Sequence, residues 1–199
     1  YYVTSMMFAK VRNQRYITSG AQADMGFGLP AAIGCALEVN LGRRVHAIIG
    51  DGSFQLNIQE LQTINYYNLP INIYVLNNNG YLSIRNTQNN FFPGRDCGTD
   101  SSNGVSFPEL KKIANAYSID YYRFDKVDEL TKFLKNTKEK NQRKSNLIEI
   151  ICPENEEIIP RSQTLKKDDG KLISAPLSNM APPLSDELKE KLKFLDLNI

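Results

Sequence analysis

Two runs of apolar and β-branched residues, Val45-His46-Ala47-Ile48-Ile49 and Ile71-Asn72-Ile73-Tyr74-Val75-Leu76, constrain the fold of this chain more than any other feature. A strand packed on one face alternates apolar and polar residues, whereas nearly continuous runs mark parallel strands covered on both faces. Both strands are therefore expected at the centre of a sheet. Between them, Gln55–Tyr67 spaces Leu56, Ile58, Leu61 and Ile64 as a helix with one buried stripe.

The alternation continues along the chain. A short β-rich run, Arg15–Thr18, precedes a helical pattern over Pro30–Asn40; the strand Val45–Gly50 precedes the helix Gln55–Tyr67; Ile71–Leu76 precedes a polar stretch. Further on, a helix over Phe107–Tyr117 leads to a strand at Asp120–Phe124, and a helix over Val127–Lys140 leads to a strand at Asn146–Cys152. This order predicts a three-layer α/β/α domain with a mostly parallel sheet. Beyond Pro153 the pattern gives way to Pro160, Gly170, Pro176 and Pro182-Pro183, with a short amphipathic helix at Asp186–Leu195. The reading is one domain over residues 1–155 and an extended arm over 156–199.

Composition narrows the function classes. Lys+Arg 24 against Asp+Glu 22 leaves a net charge of +2, too small to suggest a polyanion partner, which would need a clustered basic face, so no nucleic-acid partner is expected. No run reaches the roughly 18 apolar residues of a spanning helix, so no membrane partner is expected either. Cys35, Cys97 and Cys152 are odd in number and lack a CxxC spacing, which points to a reducing, cytoplasmic setting. The start at Tyr1 rather than Met is read as that of a piece of a longer polypeptide.

In open α/β sheets, ligands bind beyond the carboxyl ends of the strands. Gly50-Asp51-Gly52-Ser53 closes one strand there and opens a helix; Asn77-Asn78-Asn79-Gly80 closes the next. The first tetrapeptide brings small residues, backbone N–H groups, a hydroxyl and one carboxylate to a place suited to phosphate. The second brings amide oxygens and a glycine carbonyl. Together they form an all-oxygen set that suits Mg²⁺, which keeps its remaining positions for phosphate oxygens and water. A metal diphosphate is the expected ligand.

The GDG…NN pair resembles the cofactor signature of thiamine-diphosphate enzymes, and Ser19-Gly20-Ala21-Gln22-Ala23-Asp24-Met25-Gly26-Phe27-Gly28-Leu29-Pro30-Ala31-Ala32-Ile33-Gly34 resembles the acetolactate synthase branch. The resemblance covers about residues 16–155 and implies the diphosphate-binding domain of a thiamine-diphosphate-binding fold. It implies Mg²⁺ held by the Asp51 carboxylate, the Asn78 side-chain oxygen and the Gly80 carbonyl. Gly50, Gly52 and Ser53, with backbone at Tyr81 and Leu82, would hold thiamine diphosphate. Met25 would press the aminopyrimidine toward the thiazolium, and the Ala23 carbonyl would orient its amino group.

The implied activity is decarboxylation and carboligation of 2-oxo acids through an enamine intermediate. The implied activating Glu belongs to a separate N-terminal domain of another subunit, so no catalytic residue is expected in this chain. The parent is expected to be a homodimer or tetramer. Acetohydroxyacid synthases carry Met where Ser83 stands and Trp where Thr87 stands, and this chain has no Trp at all. That leaves the acceptor open and the resemblance at acetolactate-synthase-like, with Ser83, Arg85 and Thr87 as candidate substrate contacts and a surface or interface ion pair as the rival reading of Arg85. The small subunit of a two-chain 2-oxo acid decarboxylase and a non-catalytic metal-diphosphate scaffold are the competing readings.

Other residues are read as structural or as loop. The long polar segment Gln88–Gly104 is read as an active-site or surface loop anchored by Phe91 and Phe92. His46, the only histidine, is assigned a hydrogen-bonded role in a strand, Cys35 a place in the core, Glu60 a packing or ion-pair role, and Lys135–Lys144 a solvated face.

Overall fold

The computed structural model describes residues 14–38, 44–137, 144–156, 159, 161–176 and 179–193. The chain divides into two compact units, one running through Glu156 and the other from Glu157. In the first, helix α1 (Gly28–Glu38) leads into strand β1 (Val45–Gly50), then the short helices α2 (Asp51–Gln55) and α3 (Glu60–Tyr66). Strand β2 (Ile71–Asn77), helices α4 (Leu82–Phe91) and α5 (Leu110–Ala116), strand β3 (Asp120–Phe124), helix α6 (Val127–Thr137) and strand β4 (Asn146–Ile151) complete it.

The four strands form one parallel sheet in the order β1-β2-β4-β3. The expected α/β architecture is present. One face carries the main core: Leu29, Ala32 and Ala36 of α1, Leu61 and Ile64 of α3, and Leu110 and Ala114 of α5 pack on Ile49, Ile73, Val75 and Leu147. Each fully buried Leu, Ile or Val side chain in such a set contributes about 1.5–3 kcal/mol. On the opposite face Phe133 of α6 packs against Tyr122 and Phe124 of β3.

Several expectations are corrected. β2 is central, but β1 lies at the sheet edge among the described residues, with Ala47 and Ile49 buried while His46 and Ile48 are exposed. His46 still has its hydrogen-bonded role: Nδ1 lies 3.1 Å from the Tyr74 hydroxyl and the rings stack. No strand forms over Arg15–Thr18. The helix expected over Gln55–Tyr67 is two helices. Its break at Leu56–Gln59 runs on three-residue backbone bonds such as Glu60 N–H to Asn57 O, and leaves Leu56 exposed. Cys35 lies in α1 but is half-buried, outside the core cluster, and Glu60 opens α3 half-buried. The predicted helix ends at Asn40, Lys140 and Leu195, and most of the Lys135–Lys144 cluster, lie outside the described residues.

The second unit is more structured than an extended arm. Strand β5 (Arg161–Ser162) pairs antiparallel with β8 (Met180–Ala181), β6 (Thr164–Lys166) pairs with β7 (Leu172–Ser174), and helix α7 spans Asp186–Lys193. Between β6 and β7 the Asp169 carboxylate accepts the Lys171 N–H and Gly170 takes a positive φ, a turn that Asp-Gly chemistry favours.

Candidate active site

The parallel register brings the carboxyl ends of three strands to one edge: Gly50 lies beside Leu76, and Asn77 beside Ile151. Asp51 follows β1 directly and is 5% exposed. Its Oδ1 accepts the Gly52 N–H at 2.7 Å, and its Oδ2 accepts the Gly80 N–H at 3.2 Å. Burial pushes the carboxyl pKa up, against the backbone N–H groups of Gly52, Gly80, Asn79 and Asn78, which pull it down. The turn after β2 thus wraps around the carboxylate that follows β1.

Asn78 presents the sharper signal. Its Oδ1 is buried with no hydrogen-bond partner among the described residues. An acceptor left in this state costs about 1–3 kcal/mol, unless something outside the chain satisfies it. Asp51 brings a carboxylate to this edge, and the Asn78 side chain brings a neutral amide oxygen. Such a hard, sparse donor set suits Mg²⁺ with bound phosphate.

Close approach shapes the rest of this edge. A Cβ on Gly52 would overlap Cε1 of Tyr81 and lie 2.7 Å from its Cδ1, so only glycine lets that ring cover the turn. Tyr81 is fixed in place: its N–H donates to Thr99 O at 2.8 Å and its ring meets Phe107 edge-on at 5.7 Å. Gly80, at φ +155, would carry a Cβ into the Thr99 carbonyl oxygen. Beside Gly50, by contrast, a Cβ would meet no heavy atom within 4 Å. Leu82 opens α4 half-buried.

Ala23, at φ 54, and Met25, 47% exposed, sit on the turn before α1. That turn is fastened to the one at Asp51: the Gly26 N–H donates to Ser53 Oγ at 2.8 Å, and Asn57 Nδ2 donates to Gly26 O at 2.8 Å. Ser53 and the Gly52 N–H are therefore engaged within the protein, and Ser53 retains its O–H proton and a second lone pair for a ligand.

A family model described as thiamine pyrophosphate enzyme, C-terminal TPP binding domain, matches residues 2–150. The chain belongs to this thiamine pyrophosphate enzyme family. It is similar to the acetolactate synthase large subunit of Porphyra purpurea, 36% identical over 132 residues that make up 66% of this chain and 22% of that protein. Acetolactate synthase 3, chloroplastic, of Brassica napus is 34% identical over 158 residues, 77% of this chain and 24% of the relative. For acetolactate synthase 2, chloroplastic, of Zea mays the figures are 33% over 153 residues, 75% and 24%. The chain spans about a quarter of the length of these relatives.

Within this TPP-binding domain the three candidate substrate residues do not share a surface. Ser83 and Thr87 are one turn apart on the exposed side of α4, where Thr87 Oγ1 donates to Ser83 O at 2.9 Å. Arg85 turns inward and is 9% exposed. Its Nε lies 3.5 Å from Asp100 Oδ2, and its Nη1 donates to Glu154 O at 3.1 Å and to Asn155 Oδ1 at 3.3 Å. Through Nη1 and the Asp100 ion pair the guanidinium ties three segments together, while Nε and Nη2 are buried with no hydrogen-bond partner among the described residues.

The segment Gln88–Gly104 also differs from its reading as a loop. Helix α4 takes it as far as Phe91, and Phe92 is 52% exposed. The Gln88 side chain then clamps Cys97 through both its N–H and its carbonyl, and Asn103 Oδ1 accepts the N–H groups of Thr99 and Asp100. Thr99 is fully buried against the Gly80 turn. Sequence reasoning missed Asn57, Thr99 and Asp100. The only local signal was the cluster of Asp, Ser, Asn and Gly over residues 100–104, which favours side-chain-capped turns.

Proposed function

We propose that this domain holds Mg²⁺ and the diphosphate of thiamine diphosphate in an acetolactate-synthase-like enzyme acting on 2-oxo acids. The observation that carries the reading is the pairing of a desolvated Asp51 carboxylate with the unpartnered, buried Oδ1 of Asn78 at adjacent strand ends. Asp51, Asn78 and the Gly80 carbonyl would hold the cation. The residues at Gly50, Gly52 and Ser53 and the backbone at Tyr81 and Leu82 would line the diphosphate. Met25 would support the bent cofactor from the fastened turn, and the Ala23 carbonyl would accept a hydrogen bond from the aminopyrimidine.

Thiamine diphosphate, when bound, supplies the electron sink for loss of CO₂ from a 2-oxo acid and for joining the remaining fragment to a second carbonyl compound. This chain contributes binding and orientation, and the activating Glu is assigned to an N-terminal domain of another subunit in a cytoplasmic homo-oligomer. Exposed Ser83 and Thr87 on α4 are the positions assigned to acceptor choice. The test is CO₂ release by the full-length protein from a panel of 2-oxo acids, with and without an acceptor aldehyde or oxo acid. Release that needs both Mg²⁺ and thiamine diphosphate is expected. Cofactor binding without release from any acid would replace the enzyme reading with a non-catalytic scaffold.

A further inference from the structure

Glu149 lies on β4, 7% exposed, opposite Val75 on one neighbouring strand and Arg123 on the other. A carboxylate in that setting carries a large desolvation cost, and the structure offsets it with donors. Asn77 Nδ2 donates to Oε1 at 2.6 Å, the Tyr121 hydroxyl donates to Oε2, and the exposed Arg123 approaches Oε2 at 3.9 Å. Burial and the neighbouring carboxylate push the Tyr121 phenol above its ordinary pKa, so it remains a donor. Among the described residues none of these side chains hydrogen-bonds to Asp51 or Asn78, and the cofactor reading leaves Glu149 without a task.

The link runs through Asn77. Its Nδ2 faces Glu149, and its Oδ1 on the other side of the amide accepts the Asn79 N–H at 3.0 Å. Its main-chain oxygen is held by the Cys152 N–H at 2.8 Å. The Asn79 bond closes a tight turn in which Asn79 takes a left-handed φ of 57° and Gly80 then aims its N–H at Asp51 Oδ2. An ionised carboxylate can only accept, so it dictates which end of the amide faces it. With the amide reversed, an NH₂ group would meet the Asn79 N–H and the turn would lose its anchor.

We propose that Glu149 is a positioning residue, which fixes the orientation of the Asn77 amide and thereby sets the Asn78–Gly80 turn for metal binding. The proposal rests on the reading of Asp51, Asn78 and Gly80 as the Mg²⁺ site. Groups that orient metal ligands typically change affinity by about 10–100-fold when mutated.

The test measures the apparent Mg²⁺ dissociation constant of the full-length protein by titration calorimetry at saturating thiamine diphosphate, beside Tm without metal. Glu149→Gln should weaken Mg²⁺ about tenfold. Asn77→Ala, which breaks the same link from the other end, should do likewise and serves if Glu149→Gln does not fold. Tyr121→Phe removes a different donor from Glu149 and should lower Tm with Mg²⁺ affinity within about twofold of wild type, a split that a purely structural role for Glu149 does not produce. Wild-type Mg²⁺ affinity in Glu149→Gln or Asn77→Ala, while Asp51→Asn loses it, would overturn the proposal and leave the metal site standing. Wild-type affinity in Asp51→Asn as well would remove the metal site and the proposal together.

Discussion

Replacing Gly52 with Ala should destabilise the protein by about 1–3 kcal/mol, and the structure says where the energy goes. The new Cβ overlaps Tyr81 Cε1 and sits 2.7 Å from Cδ1 and 3.0 Å from Cζ, so one edge of the ring must retreat by more than an ångström. The ring has little room to do so, since the Tyr81 N–H is bonded to Thr99 and the ring is seated edge-on against Phe107. Overpacking of this kind costs about 1–3 kcal/mol, and losing the aromatic pair adds about 0.5–1.5 kcal/mol. Opposing these, Ala is favoured over Gly within a helix by about 0.5–1 kcal/mol. Because the three nearest atoms to the new Cβ all belong to Tyr81, a double-mutant cycle isolates the clash. In urea unfolding, Gly52→Ala should cost little once Tyr81 is already Ala, giving an interaction energy of about 1–3 kcal/mol. Additivity of the two substitutions within about 0.5 kcal/mol would refute the reasoning.

Two further outcomes follow from the same edge of the sheet. Asp51 has a raised pKa, and Mg²⁺ binds only the ionised carboxylate, so calorimetric Mg²⁺ affinity should decline on acidification from a higher pH than an ordinary Asp would give; a decline confined to below about pH 4 would count against it. For the metal-free fold the sign is the reverse: with the native pKa above the unfolded one, the Asp51 contribution is present below about pH 4 and is lost as pH rises through the raised value, so stabilisation by Mg²⁺ should grow with pH. Arg85→Met should cost about 2–3 kcal/mol in thermal unfolding by releasing Asp100, Glu154 and Asn155 from one another; a loss below about 0.5 kcal/mol would show that the three segments hold without it.

What the sequence revealed and what it hid divide along the range of the interactions involved. β2 and β4 were legible because local runs of β-branched residues suffice to mark strands, and the GDG…NN pair was legible because each half sits directly at a strand end. β1 reads as central yet is an edge strand among the described residues, because its apolar content is the same whether or not its outer edge is paired. The break after Gln55 was hidden because Ser53 and Asn57 turn aside to grip Gly26, and a stripe of apolar spacing carries no record of such a bond. Asn77 was missed, and Arg85 was left between a substrate contact and an ion pair, for the same reason: their partners Glu149 and Glu154 lie 72 and 69 residues away along the chain. The small ladders β5–β8 and β6–β7 are two or three residues long, too short to show a period.

The central claim is that Asp51 and Asn78 form a cation site for a diphosphate cofactor, and it is tested most directly by titrating full-length protein with thiamine diphosphate in a calorimeter, with and without Mg²⁺. Wild type should bind only when Mg²⁺ is present, and both Asp51→Ala and Asn78→Ala should lose that Mg²⁺-dependent binding while remaining folded. Binding that is indifferent to Mg²⁺, or unchanged affinity in both variants, would contradict the account.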